Sequence, residues 1–163
     1  MKGEEIMISV LTHDMLSVAD VSAMLGLYKN GYVHIEPRIK KLSIIDLGIE
    51  KKDIMALSDL NFSINIFSGK FNLNQLLSIN SDAYLLIGRN KEIENMDCLL
   101  KKVKKLIEKK TLIGIDTGKE VLETAIKDLG EDNWQEGGEV KKHCRYEIYC
   151  MDNSSLGEIN KII

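Results

Sequence analysis

Residues 111–130 read TLIGIDTGKEVLETAIKDLG, and this stretch decides the fold. Leu112-Ile113-Gly114-Ile115 is a short apolar run, too brief for a helix and β-branched enough for a buried strand. Asp116-Thr117-Gly118 interrupts it, after which Val121, Leu122, Ala125, Ile126 and Leu129 recur at helical spacing. Gly130 stands where a glycine commonly closes a helix, since the closing residue takes left-handed angles. The stretch predicts strand, sharp turn and helix, with one acidic side chain at the bend. Helix N-terminal N–H groups converge at such bends in α/β proteins, so ligands and nucleophiles are placed there. Asp116 is therefore the first candidate for any chemistry the chain performs.

Working outward from that centre, apolar runs alternate with helical periodicity. Upstream, Asp82–Gly88 (DAYLLIG) reads as a central strand, and Ile93, Met96, Leu100, Val103 and Ile107 trace a helix face with lysines opposite. Asn72–Asn80 predicts one helical turn, and Asn61–Phe67 alternates with period 2, as a half-exposed strand does. Lys51–Leu60 is weakly helical, and Leu42–Leu47 stays open between a strand and a loop edge. At the start, Ile6–Leu11 predicts a first buried strand. Val18, Val21, Leu25 and Tyr28 predict a helix ended by Asn30-Gly31, and Tyr32–Ile35 a short strand stopped by Pro37. That succession is a βαβ unit, with its two strands expected parallel. Downstream, Glu131–Lys142 is polar and predicts an exposed, lid-like loop around Gly137-Gly138. Arg145–Met151 alternates as a strand, and Ser155-Leu156-Gly157-Glu158 has the pattern of a capping box opening a last helix. The whole predicts one domain over residues 1–163, an α/β fold with an open, mostly parallel sheet and helices on both faces. Ile6–Leu11, Asp82–Ile87 and Leu112–Ile115 are expected near the centre of its mostly parallel sheet.

Bulk composition narrows the function classes. A chain of 163 residues with 44% hydrophobic and 29% charged residues is an ordinary globular domain with room for a sizeable core. Its net charge of −3 argues against nucleic acid, which needs clustered cationic surface. The lysines of residues 101–110 read as the solvated face of an amphipathic helix. Cys98, Cys144 and Cys150 are an odd number without CxxC spacing, so neither a zinc site nor a disulfide framework is readable. No run approaches the length of a membrane span, and residues 1–11 lack the apolar core of a signal peptide. The expectation is a cytoplasmic protein with reduced thiols, no metal, no cofactor and no membrane partner.

Three segments together resemble the PfpI/ThiJ-like branch of the class I glutamine amidotransferase-like superfamily. That branch opens with a strand, an acidic turn, Leu-Asp-Val and a helix; Ile8–Gly31 reads ISVLTHDMLSVADVSAMLGLYKNG. Its second mark is a strand ending in Gly-Gly; Asp82–Arg89 reads DAYLLIGR. Its third is a nucleophile elbow, Ile-Cys-x-Gly-Pro-x-x-Leu; Ile115–Leu122 reads IDTGKEVL. The resemblance implies a flavodoxin-like sandwich, a homodimer, and a site at the elbow comprising Asp116, Thr117, Ser17, Gly88 and Arg89. It also implies lost chemistry, because the family cysteine falls on Asp116, its glutamate partner on Ser17, and the second glycine on Arg89. A carboxylate is a far poorer nucleophile than a thiolate toward carbonyl carbon.

Two roles are therefore expected for Asp116. It can serve as turn residue and N-cap, tolerating left-handed angles and accepting helix N–H groups. Alternatively it is a fixed anion hydrogen-bonded by Ser17. The leading functional reading is a catalytically degenerate small-molecule-binding or protein-interaction module. The alternative is a hydrolase or lyase that uses Asp116 with His13 or His143, since carboxylates serve as bases or covalent nucleophiles on suitable substrates. His13-Asp14 and His143 are secondary candidates on that account. Gly137-Gly138 is not a phosphate loop, lacking the lysine and hydroxyl of that motif.

Overall fold

A computed structural model gives the fold; it describes Val10–Leu11, Val33–Ile35 and residues 40–163 apart from 61. In chain order the strands and helices are β1 (Val10–Leu11), β2 (Val33–Ile35), β3 (Lys40–Asp46), α1 (Lys51–Asp59), β4 (Phe62–Ser68), α2 (Leu73–Ser78) and β5 (Ala83–Gly88). There follow α3 (Met96–Ile107), β6 (Leu112–Asp116), α4 (Thr117–Asp128), β7 (Trp134–Gly137), β8 (Val140–His143) and β9 (Ile148–Met151). A 3₁₀ helix (Asn153–Glu158) then runs into α5 (Ile159–Ile162).

The strands of the middle are apolar on both faces because both faces are covered. Leu42, Ile44, Leu85, Ile87, Ile113 and Ile115 pack into one cluster with Ile54 and Leu57 of α1 and Leu156 and Ile159 of the C-terminal segment. The alternate positions Ile45, Tyr84, Leu86, Leu112 and Cys150 face a second cluster with α2, α3 and α4. Three layers result, and burying each large apolar side chain contributes about 1.5–3 kcal/mol. Strand order is β4-β3-β5-β6-β9-β8-β7, with β1 and β2 both bordering β4. β4, β3, β5, β6 and β9 are mutually parallel, and the β7–β8 hairpin continues the sheet antiparallel. The chain leaves β3 toward β4, returns past it to β5, and then proceeds to β6. The order therefore reverses between β3 and β5, which is where open α/β sheets place their crevice.

Several expectations need correction. Lys40–Asp46, ambiguous in the sequence, is central, whereas Val10–Leu11 lies against β4 away from the centre. β1 pairs with β4 parallel but β2 pairs antiparallel, so these two strands run oppositely and are not a parallel βαβ pair. Short runs at a sheet edge carry no directional signal in their residues. β4 is buried along its whole length, with Ser63, Asn65 and Ser68 inside, so its polar alternation does not mark a solvent face. Residues 131–142 are not a lid but largely the β7–β8 hairpin, turning at Gly138, whose φ of +69° suits glycine. Gln135, Glu136 and Gly137 of β7 are exposed and β8 carries two lysines, which is why the hairpin's polarity hides it. Finally, Ser155 does not cap a helix; it lies inside the 3₁₀ segment, buried, with its Oγ unbonded. Leu85, Leu86, Leu100, Val103, Ile113, Ile115, Leu122 and Ile126 are buried as expected.

The tightest packing is between α4 and the sheet. A Cβ on Gly118 would lie 1.8 Å from the Leu86 carbonyl oxygen, a backbone atom that cannot move aside. Overpacking typically costs about 1–3 kcal/mol, and this position is expected at or above that range. Gly118→Ala should lower the urea midpoint accordingly, with the slope of the transition unchanged.

Candidate functional site

β6 and α4 are contiguous: Asp116 is the last residue of the strand and Thr117 the first of the helix. With no connecting residue, the chain must reverse at one position. Asp116 takes the turn at φ 57°, ψ −119°, a conformation costing a non-glycine residue about 1–3 kcal/mol. Glycines on both sides let the helix fold straight back. A Cβ on Gly114 would lie 2.7 Å from the Gly118 carbonyl, and that on Gly118 would strike Leu86. The geometry is that of a nucleophile elbow, a strained strand-to-helix turn that lifts one side chain above the sheet.

The elbow side chain does not cap the helix. Asp116 stands at the N-cap, yet its carboxylate accepts no hydrogen bond from the first turn of α4. The expected capping role is thereby overturned; the residue does take a positive φ, but its ψ of −119° lies outside the left-handed helical region. Oδ2 is buried without a hydrogen bond, and Arg89 Nη2 faces it at 3.7 Å, too far for one. Burial pushes the Asp116 carboxyl up, Arg89 draws it back, and Asp53, Asp152 and Glu50 push it up again; the balance lies above the ordinary aspartate range.

Arg89 joins the loops. Its Nη1 donates to Asp53 Oδ2 at 2.9 Å and lies 3.3 Å from Glu50 Oε1. Asp53, on the first turn of α1, is almost fully buried at 1% side-chain exposure. It also accepts Asn153 Nδ2 at 2.8 Å and the Glu50 N–H at 3.2 Å. Burial pushes its carboxyl up, but the hydrogen bonds from Arg89, Asn153 and Glu50 outweigh it and hold the group below the ordinary range. One guanidinium thus links the segments that follow β3, β5 and β6, and Asn153 adds the segment after β9.

The loop after β5 is bonded to the loop after β3. Arg89 N–H donates to the Gly48 carbonyl at 3.2 Å and Asn90 N–H to that of Leu47 at 3.0 Å, while Leu47 N–H reaches Ile87 at 2.8 Å. Gly88 allows this contact, since a Cβ there would lie 1.9 Å from the Leu47 carbonyl. Thr117 Oγ1 donates to the Asn90 carbonyl at 2.8 Å, tying the elbow to the same loop. The loop amides of Arg89 and Asn90 beside the elbow are therefore already engaged.

Of the residues singled out in the sequence, the structure brings Asp116, Thr117, Gly88 and Arg89 together. Ser17, His13 and Asp14 lie outside the described residues. His143 is elsewhere: it follows Lys142, which pairs with Tyr149, at the end of β9 where Ile148 meets Leu112. Leu112 opens β6 and Asp116 closes it, a separation of roughly 13 Å along the strand. His143 is fully buried, its Nδ1 accepting the Arg145 and Tyr146 N–H groups and its Nε2 donating to the Glu131 carbonyl. Trp134 meets the ring edge-on at 5.1 Å and Tyr146 stacks on it at 5.2 Å. It is a structural histidine of the hairpin, and the pairing of Asp116 with His143 is corrected. Burial pushes the Cys150 thiol up to about 12, so that cysteine is inert. Sequence reasoning missed Asp53 and Asn153; the only local signal was Glu50-Lys51-Lys52-Asp53, an acidic residue at each end of a helix start. Among the described residues no group of His, Cys, Asp or Glu side chains could hold a metal ion.

The sheet, its two covering layers and the elbow make an α/β, flavodoxin-like sandwich. The sequence is 29% identical over 103 residues to the carbamoyl phosphate synthase small chain of Clostridium perfringens, and 29% over 93 residues to that of Clostridium acetobutylicum. These spans cover 63% and 57% of this chain but only 27% and 26% of those proteins, so the chain spans about a quarter of the length of the curated relatives it matches. The crystal structure of a GMP synthase subunit from Thermoplasma acidophilum superposes with a TM-score of 0.51 at 14% identity. That match covers 71% of this chain and 84% of the other. No protein-family model matches the sequence. Among the described residues no helix is long and apolar enough to cross a membrane.

The two carboxylates on Arg89 respond oppositely to acid. Asp116 has a raised native pKa, so its charge costs stability once pH rises through the native value. Asp116→Asn is expected to melt higher than the parent near neutrality, the advantage vanishing below the ordinary aspartate pKa, where both states are protonated. Asp53 has a lowered native pKa, so its ionised form stabilises above the ordinary value and that contribution is lost as pH falls through the native one. Arg89→Met strands this buried carboxylate. Breaking a fully buried pair costs about 3–5 kcal/mol, and less is expected here because the Arg89 side chain is 32% exposed. The deficit should narrow in acid, read as the difference in urea midpoint between parent and variant across pH.

Proposed function

We propose that this chain is a catalytically degenerate amidotransferase-like module, acting by binding a partner protein or a small molecule. The observation that carries the reading is the elbow itself. Where a thiolate would attack, the side chain is a carboxylate paired with Arg89, and the adjacent loop amides are bonded to Leu47 and Gly48. A nucleophile, a proton acceptor and an oxyanion site are the minimum for acyl transfer. The described residues near the elbow supply no thiol, no histidine and no open pair of loop amides. The alternative, a hydrolase or lyase built on Asp116, loses His143 to the hairpin.

The relatives' names support the interaction half of the reading, since both describe pieces of larger assemblies, a synthase small chain and a synthase subunit. The finer PfpI/ThiJ-like placement rests on DAYLLIGR, which forms β5 and its end, and IDTGKEVL, which forms the elbow. That resemblance also carries the expectations of a homodimer and a cytoplasmic location.

The purified chain, incubated with glutamine, should release no ammonia above the spontaneous rate, and it should not turn over ester, glyoxal or peptide substrates. Turnover abolished by Asp116→Ala would overturn the reading. In sedimentation velocity the chain should run at twice its 18.4 kDa mass, and a monomer at all concentrations would remove the homodimer from it.

A further inference from the structure

We draw no further inference here: the strongest candidate, the crevice at the carboxyl ends of β5 and β6 where Asp116, Asp53 and Glu50 gather around Arg89, belongs to the site already described, and an acidic cluster at a helix N-terminus with no second observation pointing to a ligand carries none.

Discussion

The approach of α4 to the sheet, backbone on backbone, is the constraint from which the rest of the site follows. Helix and strand are joined without a connecting residue, and the helix lies so close that Gly114 and Gly118 have no room for a Cβ. Such a contact buries Val121, Leu122, Ala125 and Ile126 against Leu86, Leu112 and Cys150. Each buried side chain there is worth about 1.5–3 kcal/mol, and together they outweigh about 1–3 kcal/mol of strain at one residue. Asp116 holds its positive φ because the packing of the whole helix holds it there. Gly88 has the matching role on the neighbouring strand, letting the loop after β5 bond to the loop after β3.

Charge is distributed on this frame unequally. Asp53 is buried but surrounded by donors, so its ionised form is the stable one. Asp116 is less buried yet has no hydrogen bond at Oδ2, and it faces the same guanidinium at a distance where attraction is weaker. Arg89 is thus committed to Asp53 and only leans toward the elbow. The difference follows from covalent geometry: Asp53 sits on a regular helix and can rotate to meet its donors. Asp116 is fixed by a strained backbone whose direction the helix dictates.

How far this was legible in the sequence differs between elements. Strand, bend and helix at residues 112–128 were readable because a short β-branched run, an acidic break and a 3.6 period cannot be confused over that length. The same holds for β5 and α3. Lys40–Asp46 was not readable as central, because Lys40, Lys41 and Ser43 dilute its apolar alternation although Leu42, Ile44 and Ile45 are fully buried. β4 misled for a related reason: Ser63 and Asn65 are inside the protein, so period 2 marked two buried faces of different polarity. At the site, Asp116 was legible from the strand–turn–helix pattern itself, whereas Gly88 and Arg89 were legible only through the family resemblance of DAYLLIGR. Asp53 and Asn153 were not, since residues 100 apart meet only when β3 and β9 are placed in one sheet. His143 was misjudged because a histidine's neighbours in sequence say nothing of the two backbone N–H groups that fix its tautomer.

A strained elbow is often read as a sign of catalysis, on the ground that strain persists only where function needs it. Here the strain has a sufficient structural cause, the joint between β6 and α4, and it would persist whatever side chain occupied position 116. Chemistry must then be judged from the groups around the elbow, where Arg89 is held by Asp53 and the Asp116 carboxylate is left without a hydrogen bond at Oδ2. Transition-state stabilisation needs donors held open toward developing charge, at no cost of reorganisation. The amides of Arg89 and Asn90 would have to break their bonds to Gly48 and Leu47 before serving so. A scaffold that keeps the elbow while its loop closes on itself retains the fold's architecture for packing.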